Sequence, residues 1–117
     1  MKEQFCGYDI ALALKELGFN RKCFTRFINR HLAALSSHTI NSKNSTTVIS
    51  APLWGQAIDW FREEHNIYIS IRPYNNVAFG IRIEYGTSTL IHGGYKTYRE
   101  ARKAAILKAI EICKENL

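Results

Sequence analysis

From Ile67 to His92, branched or aromatic residues alternate with polar ones in three stretches separated by turn-forming residues. The first runs from Ile67 to Tyr74, the second from Val77 to Tyr85 and the third from Thr89 to His92, with Asn75-Asn76 and Gly86-Thr87-Ser88 between them. A period of two, broken by turn residues, predicts three half-buried antiparallel strands. Ile67, Ile69, Ile71, Phe79, Ile81, Ile83 and Tyr85 then share one face, which requires a core. Tyr68, Ser70, Arg72, Tyr74, Ala78, Gly80, Arg82 and Glu84 share the other. Gly93-Gly94 is expected to break the sheet.

The pattern on either side has the period of a helix. Ser50-Ala51-Pro52 predicts a helix start, with serine as N-cap and proline in the first turn, and a helix to about Glu64. Its apolar positions (Leu53, Trp54, Ala57, Ile58, Trp60, Phe61) cover much of its circumference, and His65-Asn66 ends it. After the strands, Thr97 and Glu100 form a capping box, each side chain reaching the other's backbone N–H. Tyr98, Ala101, Ala105, Ala109 and Ile112 mark the inner face of a last helix ending near Asn116, with Arg99, Lys103, Glu111 and Lys114 outside. Its alanines allow close approach to the sheet. A helix from Tyr8 to Leu17, with Gly18 as left-handed cap, opens the chain. Cys23 to Ile28 reads as a strand with Phe24 and Ile28 on one side, or as the start of a second helix through Leu35; the strand is preferred. Residues 36–47 are polar and small and predict a surface loop.

The expectation is an α+β fold in a single domain spanning residues 1–117. Residues 1–49 supply an N-terminal helix, one extra strand and the polar loop. Residues 50–117 supply an αβββα unit whose two helices lie on the isoleucine face of a three-stranded antiparallel sheet.

Composition narrows the function classes. With 117 residues, 46% of them hydrophobic, the chain suits one modest core. No apolar run approaches the ~20 residues of a membrane span, and Met1 to Cys6 lacks a secretory apolar core, so a cytoplasmic location without membrane attachment is expected. Cys6, Cys23 and Cys113 are odd in number and widely spaced, which suggests buried free thiols rather than disulfides or a metal site. The net charge is +6, with a pI near 9.4. Up to residue 50, seven Lys/Arg stand against three Asp/Glu; from 51 onward, nine stand against seven. That balance favours an anionic partner.

Several stretches carry a resemblance. Ser50-Ala51-Pro52, Gln56-Ala57, Trp60-Phe61-Arg62-Glu63, Tyr95, Thr97-Tyr98 and Glu100-Ala101, with Leu14 to Phe19 earlier, resemble short uncharacterised proteins of gut bacteria and their phages and prophages. That resemblance implies an α+β fold and a mobile-element setting, and no activity. Residues 50–116 are also similar in their order of elements to a double-stranded-RNA-binding domain. There the basic opening of the last helix meets phosphates. The resemblance implies that Lys96, Arg99, Arg102 and Lys103 take those places. The loop Pro73-Tyr74-Asn75-Asn76 departs from that family's Gly-Pro-x-His pattern.

Candidate chemistry begins on the polar sheet face. Tyr68, Arg72, Tyr74 and Arg82 would set stacking planes beside cations, a combination that binds bases or nucleotides. The alternative is that this face is covered by the first fifty residues or by a second copy of the chain. His92 to Lys96 leads into a helix N-terminus, and is either an anion site or a plain turn. The loop with His38 and Lys43 is either a ligand cover or a connection. His31, His38, His65 and His92 lack metal-ligand spacing, and neither a nucleophile elbow nor a Gly-rich phosphate loop occurs. No catalytic residue, metal ligand or cofactor is nominated. The chain reads as a non-catalytic binder of a nucleic acid or nucleotide. The alternative is a protein-interaction or inhibitory factor directed at a host defence component, including one that sequesters a nucleotide signal.

Overall fold

The structure, a computed structural model, describes residues 4–28, 30–33 and 48–116. The element order is α1 (Tyr8–Glu16), β1 (Thr25–Ile28), β2 (His31–Leu32), β3 (Val48–Ala51), α2 (Trp54–His65), β4 (Ile67–Asn75), β5 (Ala78–Tyr85), β6 (Ser88–Tyr95) and α3 (Tyr98–Glu115). The fold is α+β, with two three-stranded antiparallel sheets in the orders β2-β1-β3 and β4-β5-β6. The chain divides within α2 into two compact units, residues 1–57 and 58–117.

In the first unit, α1 ends as its sequence predicts. Gly18 is left-handed (φ 96°), and the N–H groups of Gly18 and Phe19 donate to Lys15 and Leu14 at 3.0 and 2.9 Å. This Schellman arrangement satisfies carbonyls that a helix end leaves open. Of the stretch Cys23 to Ile28, Thr25 to Ile28 forms a strand, and the helical alternative is overturned by a hairpin that pairs Phe27 with Leu32. Arg30 turns the hairpin with φ 70°. Here Thr25 and Phe27 are buried while Phe24 and Ile28 face solvent. The buried Thr25 hydroxyl donates to the Ala33 carbonyl at 2.9 Å, which removes the cost of burying it. Phe5, Ala11, Phe27, Ile49 and Ala51 form a core with Tyr8, Leu12, Leu32 and Leu53 against it.

Ser50 is not a helix cap. It pairs with Arg26, and Ala51 with Thr25, in the ladder of β1 and β3. Pro52 disfavours helical geometry in the residue before it, so Ala51 stays extended. The helix begins two residues after the proline. There the Leu53 N–H donates to Gln56 Oε1 at 2.9 Å, and the Leu53 carbonyl accepts from Ala57. The stretch 36–47, expected as a loop, lies outside the described residues, as do His38 and Lys43 within it.

The second unit follows its alternating pattern. Ile69 faces Ile83 and Ile71 faces Ile81, while Tyr68 faces Glu84, Ser70 faces Arg82 and Arg72 faces Gly80. The two faces are therefore the expected ones. α3 packs along β4 and β5, where Ala101, Ala105, Ile106 and Ala109 are fully buried. Ile67, Ile81 and Ile83 are buried on the inner face, and burying such a side chain contributes ~1.5–3 kcal/mol. Asn66 (φ 54°) ends α2 in the left-handed region. The Glu100 N–H donates to Thr97 Oγ1 at 3.1 Å. The Glu100 carboxylate accepts from the N–H of Lys96 at 3.2 Å, one residue before the donor expected.

Gly93-Gly94 does not end the sheet. β6 runs through both glycines to Tyr95, with a register shift where Phe79 pairs with Tyr95 and Ile81 with His92. One residue of β5 thus opposes two of β6, a bulge that Gly94 absorbs with φ 89°. All three cysteines are buried, and none of them forms a disulfide.

Candidate functional site

The outer face of β4-β5-β6 is a grid of cross-strand rows. One row holds Tyr68, Glu84 and Thr89, and the next holds Ser70, Arg82 and Ile91. A further row pairs Arg72 with Gly80. Tyr68, Tyr74 and Ile91 are 51%, 59% and 64% exposed, so the aromatic and apolar groups here meet solvent.

Tyr74 has a defined seat. A β-carbon at Gly93 would collide with Cγ, Cδ1 and Cε1 of its ring. One at Gly80 would lie 3.3 Å from Cδ1 and 3.0 Å from the His92 carbonyl oxygen. The ring therefore rests on two glycine backbones of neighbouring strands. Beside it, Arg72, Tyr74, Arg82 and Ile91 help to line an open recess of about 130 Å³. That is well below the ~300–1,000 Å³ that encloses a small ligand, so the face is open rather than a closed pocket.

The cations differ in their surroundings. Arg82 Nε lies 2.8 Å from Glu84 Oε1, an ion pair without hydrogen-bond alignment, with both side chains partly exposed. Arg72 is exposed and stands opposite a glycine. Part of the charge of Arg82 is therefore already met, and an arriving anion would find more to gain at Arg72.

The eight residues nominated from sequence fall into two groups. Tyr68, Arg72, Tyr74 and Arg82 come together on the outer face. Lys96, Arg99, Arg102 and Lys103 belong to the turn before α3 and its first turns, and α3 packs against the inner face. Lys96, Arg99 and Lys103 are exposed, and Arg102 lies 5.7 Å from the centre of the Tyr98 ring. Arg99, Arg102 and Lys103 thus lie on the helix packed against the inner face, and Lys96 lies in the turn that follows β6, so this group does not share the cross-strand rows of the outer face. Sequence reasoning missed Gly80 and Gly93 as the seat of Tyr74, and Ile91 as its apolar neighbour. Glycines inside strands were the available signal, since they often mark close approach of another group.

Two other recesses lie within single units. One of about 360 Å³ is bordered by His65, Tyr85, Ser88, Cys113 and Asn116, and among the described residues no Lys or Arg lines it. The other, of about 190 Å³, includes Arg30 and His31 beside Phe5 and Phe27. Burial pushes the Cys23 thiol up to about 12, so it stays protonated at neutral pH and is no activated nucleophile. Burial raises the Cys113 thiol as well. Among the described residues, no three His, Cys, Asp or Glu side chains gather as a metal site, and no helix is long and apolar enough to cross a membrane.

No protein-family model matches the chain, and neither a curated protein nor a solved structure gives a match to it.

Proposed function

We propose that this is a non-catalytic binding protein whose ligand, a nucleic acid or nucleotide, lies on the outer face of β4-β5-β6. The observation that carries the reading is the exposure of Tyr68 and Tyr74 on the same face as Arg72 and Arg82. Aromatic rings stack any base, at ~1–3 kcal/mol each, and arginines meet phosphates by charge and hydrogen bonds. The chain's positive net charge acts in the same direction. Fluorescence titration with labelled oligonucleotides at low and high salt tests the reading. Binding that falls steeply with salt supports it, because phosphate contacts release counterions. No binding of any nucleic acid or nucleotide refutes it.

A protein-interaction factor, acting on a host defence component, is the second reading. The exposed Ile91 on the same sheet and Val77 in the turn between β4 and β5 favour it, since apolar side chains supply the core of protein interfaces. Its binding would depend little on salt.

A further inference from the structure

We infer that the ligand of this face is a single strand of several nucleotides laid along β4, with Gly80 and Gly93 as the residues that position its Tyr74 platform. The inference rests on the function proposed above and names the form of the ligand.

The order of side chains along the face sets the geometry. Tyr68 and Tyr74 lie near the two ends of β4, and Arg72 together with the cross-strand Arg82 lies between them. Six residues separate the tyrosines, with a register shift at Tyr74, so the span is at most about 20 Å at ~3.3 Å per residue. One base cannot touch both rings. At ~3.4 Å per nucleotide a stacked strand covers that distance in about six steps, and a splayed one in fewer. A strand with one base on each tyrosine passes its intervening phosphates over the two arginines. A single nucleotide reaches one ring and one cation, and forgoes the other pair.

Duplex is the wrong shape for such a face. Its bases are stacked inside, whereas exposed rings need unpaired bases with free π faces. The recess of about 130 Å³ between Arg72, Tyr74, Arg82 and Ile91 takes part of a nucleotide, not a whole one.

Gly93 enters because its hydrogen occupies the space that a β-carbon would deny to the Tyr74 ring. A ring seated on backbone has less freedom to lose when a base lands on it. Gly80 completes the seat from β5. Both are positioning residues, acting through Tyr74.

The test uses the full chain and fluorescein-labelled oligothymidylates of about two, four, six and eight nucleotides, with thymidine monophosphate and a short duplex as competitors. Affinity is expected to rise with length to about six nucleotides and then level off. The monophosphate and the duplex should bind at least about tenfold more weakly. Gly93→Ala should weaken hexamer binding as much as Tyr74→Ala and leave the salt dependence unchanged. In a Tyr74→Ala background it should add nothing, an outcome that a merely structural role would not produce. Tyr74→Phe keeps the ring and should bind as the parent does, which tests the platform even if Gly93→Ala fails to fold. Monophosphate or duplex binding as tightly as the hexamer overturns the inference and leaves the proposed function standing. A Gly93→Ala effect that persists without Tyr74 overturns the positioning role. No binding by any probe overturns the proposed function itself.

Discussion

The two faces of the β4-β5-β6 sheet are made from alternate residues of the same strands, yet their fates differ. On the inner face Ile67, Ile81 and Ile83 are buried, and α3 packs along the strands through alanines small enough to let the backbones approach. On the outer face Tyr68, Tyr74 and Ile91 stay exposed among Arg72, Arg82 and Glu84. The inner residues are explained by packing alone. The outer ones are not, since an exposed tyrosine contributes little to a core. Tyr74 does cover two glycines, but among the described residues neither Tyr68 nor Ile91 covers one. The inner face thus accounts for stability, and the outer face is the one on which the proposed binding rests.

Substitutions can break that contrast, and the largest effect belongs inside. Ile83→Ala should destabilise the chain by ~2–5 kcal/mol, as a cavity-forming change does. An unchanged denaturation midpoint would show that the faces are wrongly assigned. Ala105→Leu should cost ~1–3 kcal/mol by forcing α3 away from the sheet; equal stability would mean the contact is looser than described. Thr97→Ala removes the hydroxyl that accepts the Glu100 N–H and should cost ~0.5–2 kcal/mol without changing oligonucleotide affinity. If affinity falls instead, the start of α3 takes part in binding.

The smallest stability changes belong outside, where Tyr68→Ala and Arg72→Ala should each stay within ~0.5 kcal/mol of the parent. Both should weaken binding, and the salt series separates them. Tyr68→Ala acts at every salt concentration, whereas Arg72→Ala also flattens the salt dependence. Arg82→Ala should flatten it less, because Glu84 already meets part of that charge. Glu84→Gln should tighten binding, and no change there would mean that Arg82 does not meet a phosphate.

Legibility followed the distance between partners. Strands β4 and β5 and their facing residues were readable because alternation repeats over many residues and the connecting turns are short. The cap at Gly18 and the Thr97–Glu100 pair were readable because helix ends are settled within a few residues. The first sheet was largely hidden: β1 and β3 are four residues each and lie far apart in the chain. Only one strand was expected there, and a local rule made Ser50 a helix cap. Phe24 pointed to an apolar side that the fold leaves 47% exposed, while Thr25 beside it is buried and hydrogen-bonded.

The candidate site shows the same division. That Tyr68, Ser70 and Arg72 share a face was determined by the sequence alone, because side chains alternate along a strand whatever it pairs with; Arg82 joins them through the pairing of β4 with β5, and Tyr74 stands at a register shift between Pro73 and Asn75. Tertiary structure alone decided that this face is exposed, that α3, which carries Arg99, Arg102 and Lys103, packs on the opposite face, and that Gly93 seats the Tyr74 ring. Period and turn chemistry act between neighbours in the chain, so they can be read along it. Exposure and the meeting of β4 with β6 depend on how separate strands pair, and the bulge at Gly93-Gly94 sets a register that no local pattern specifies.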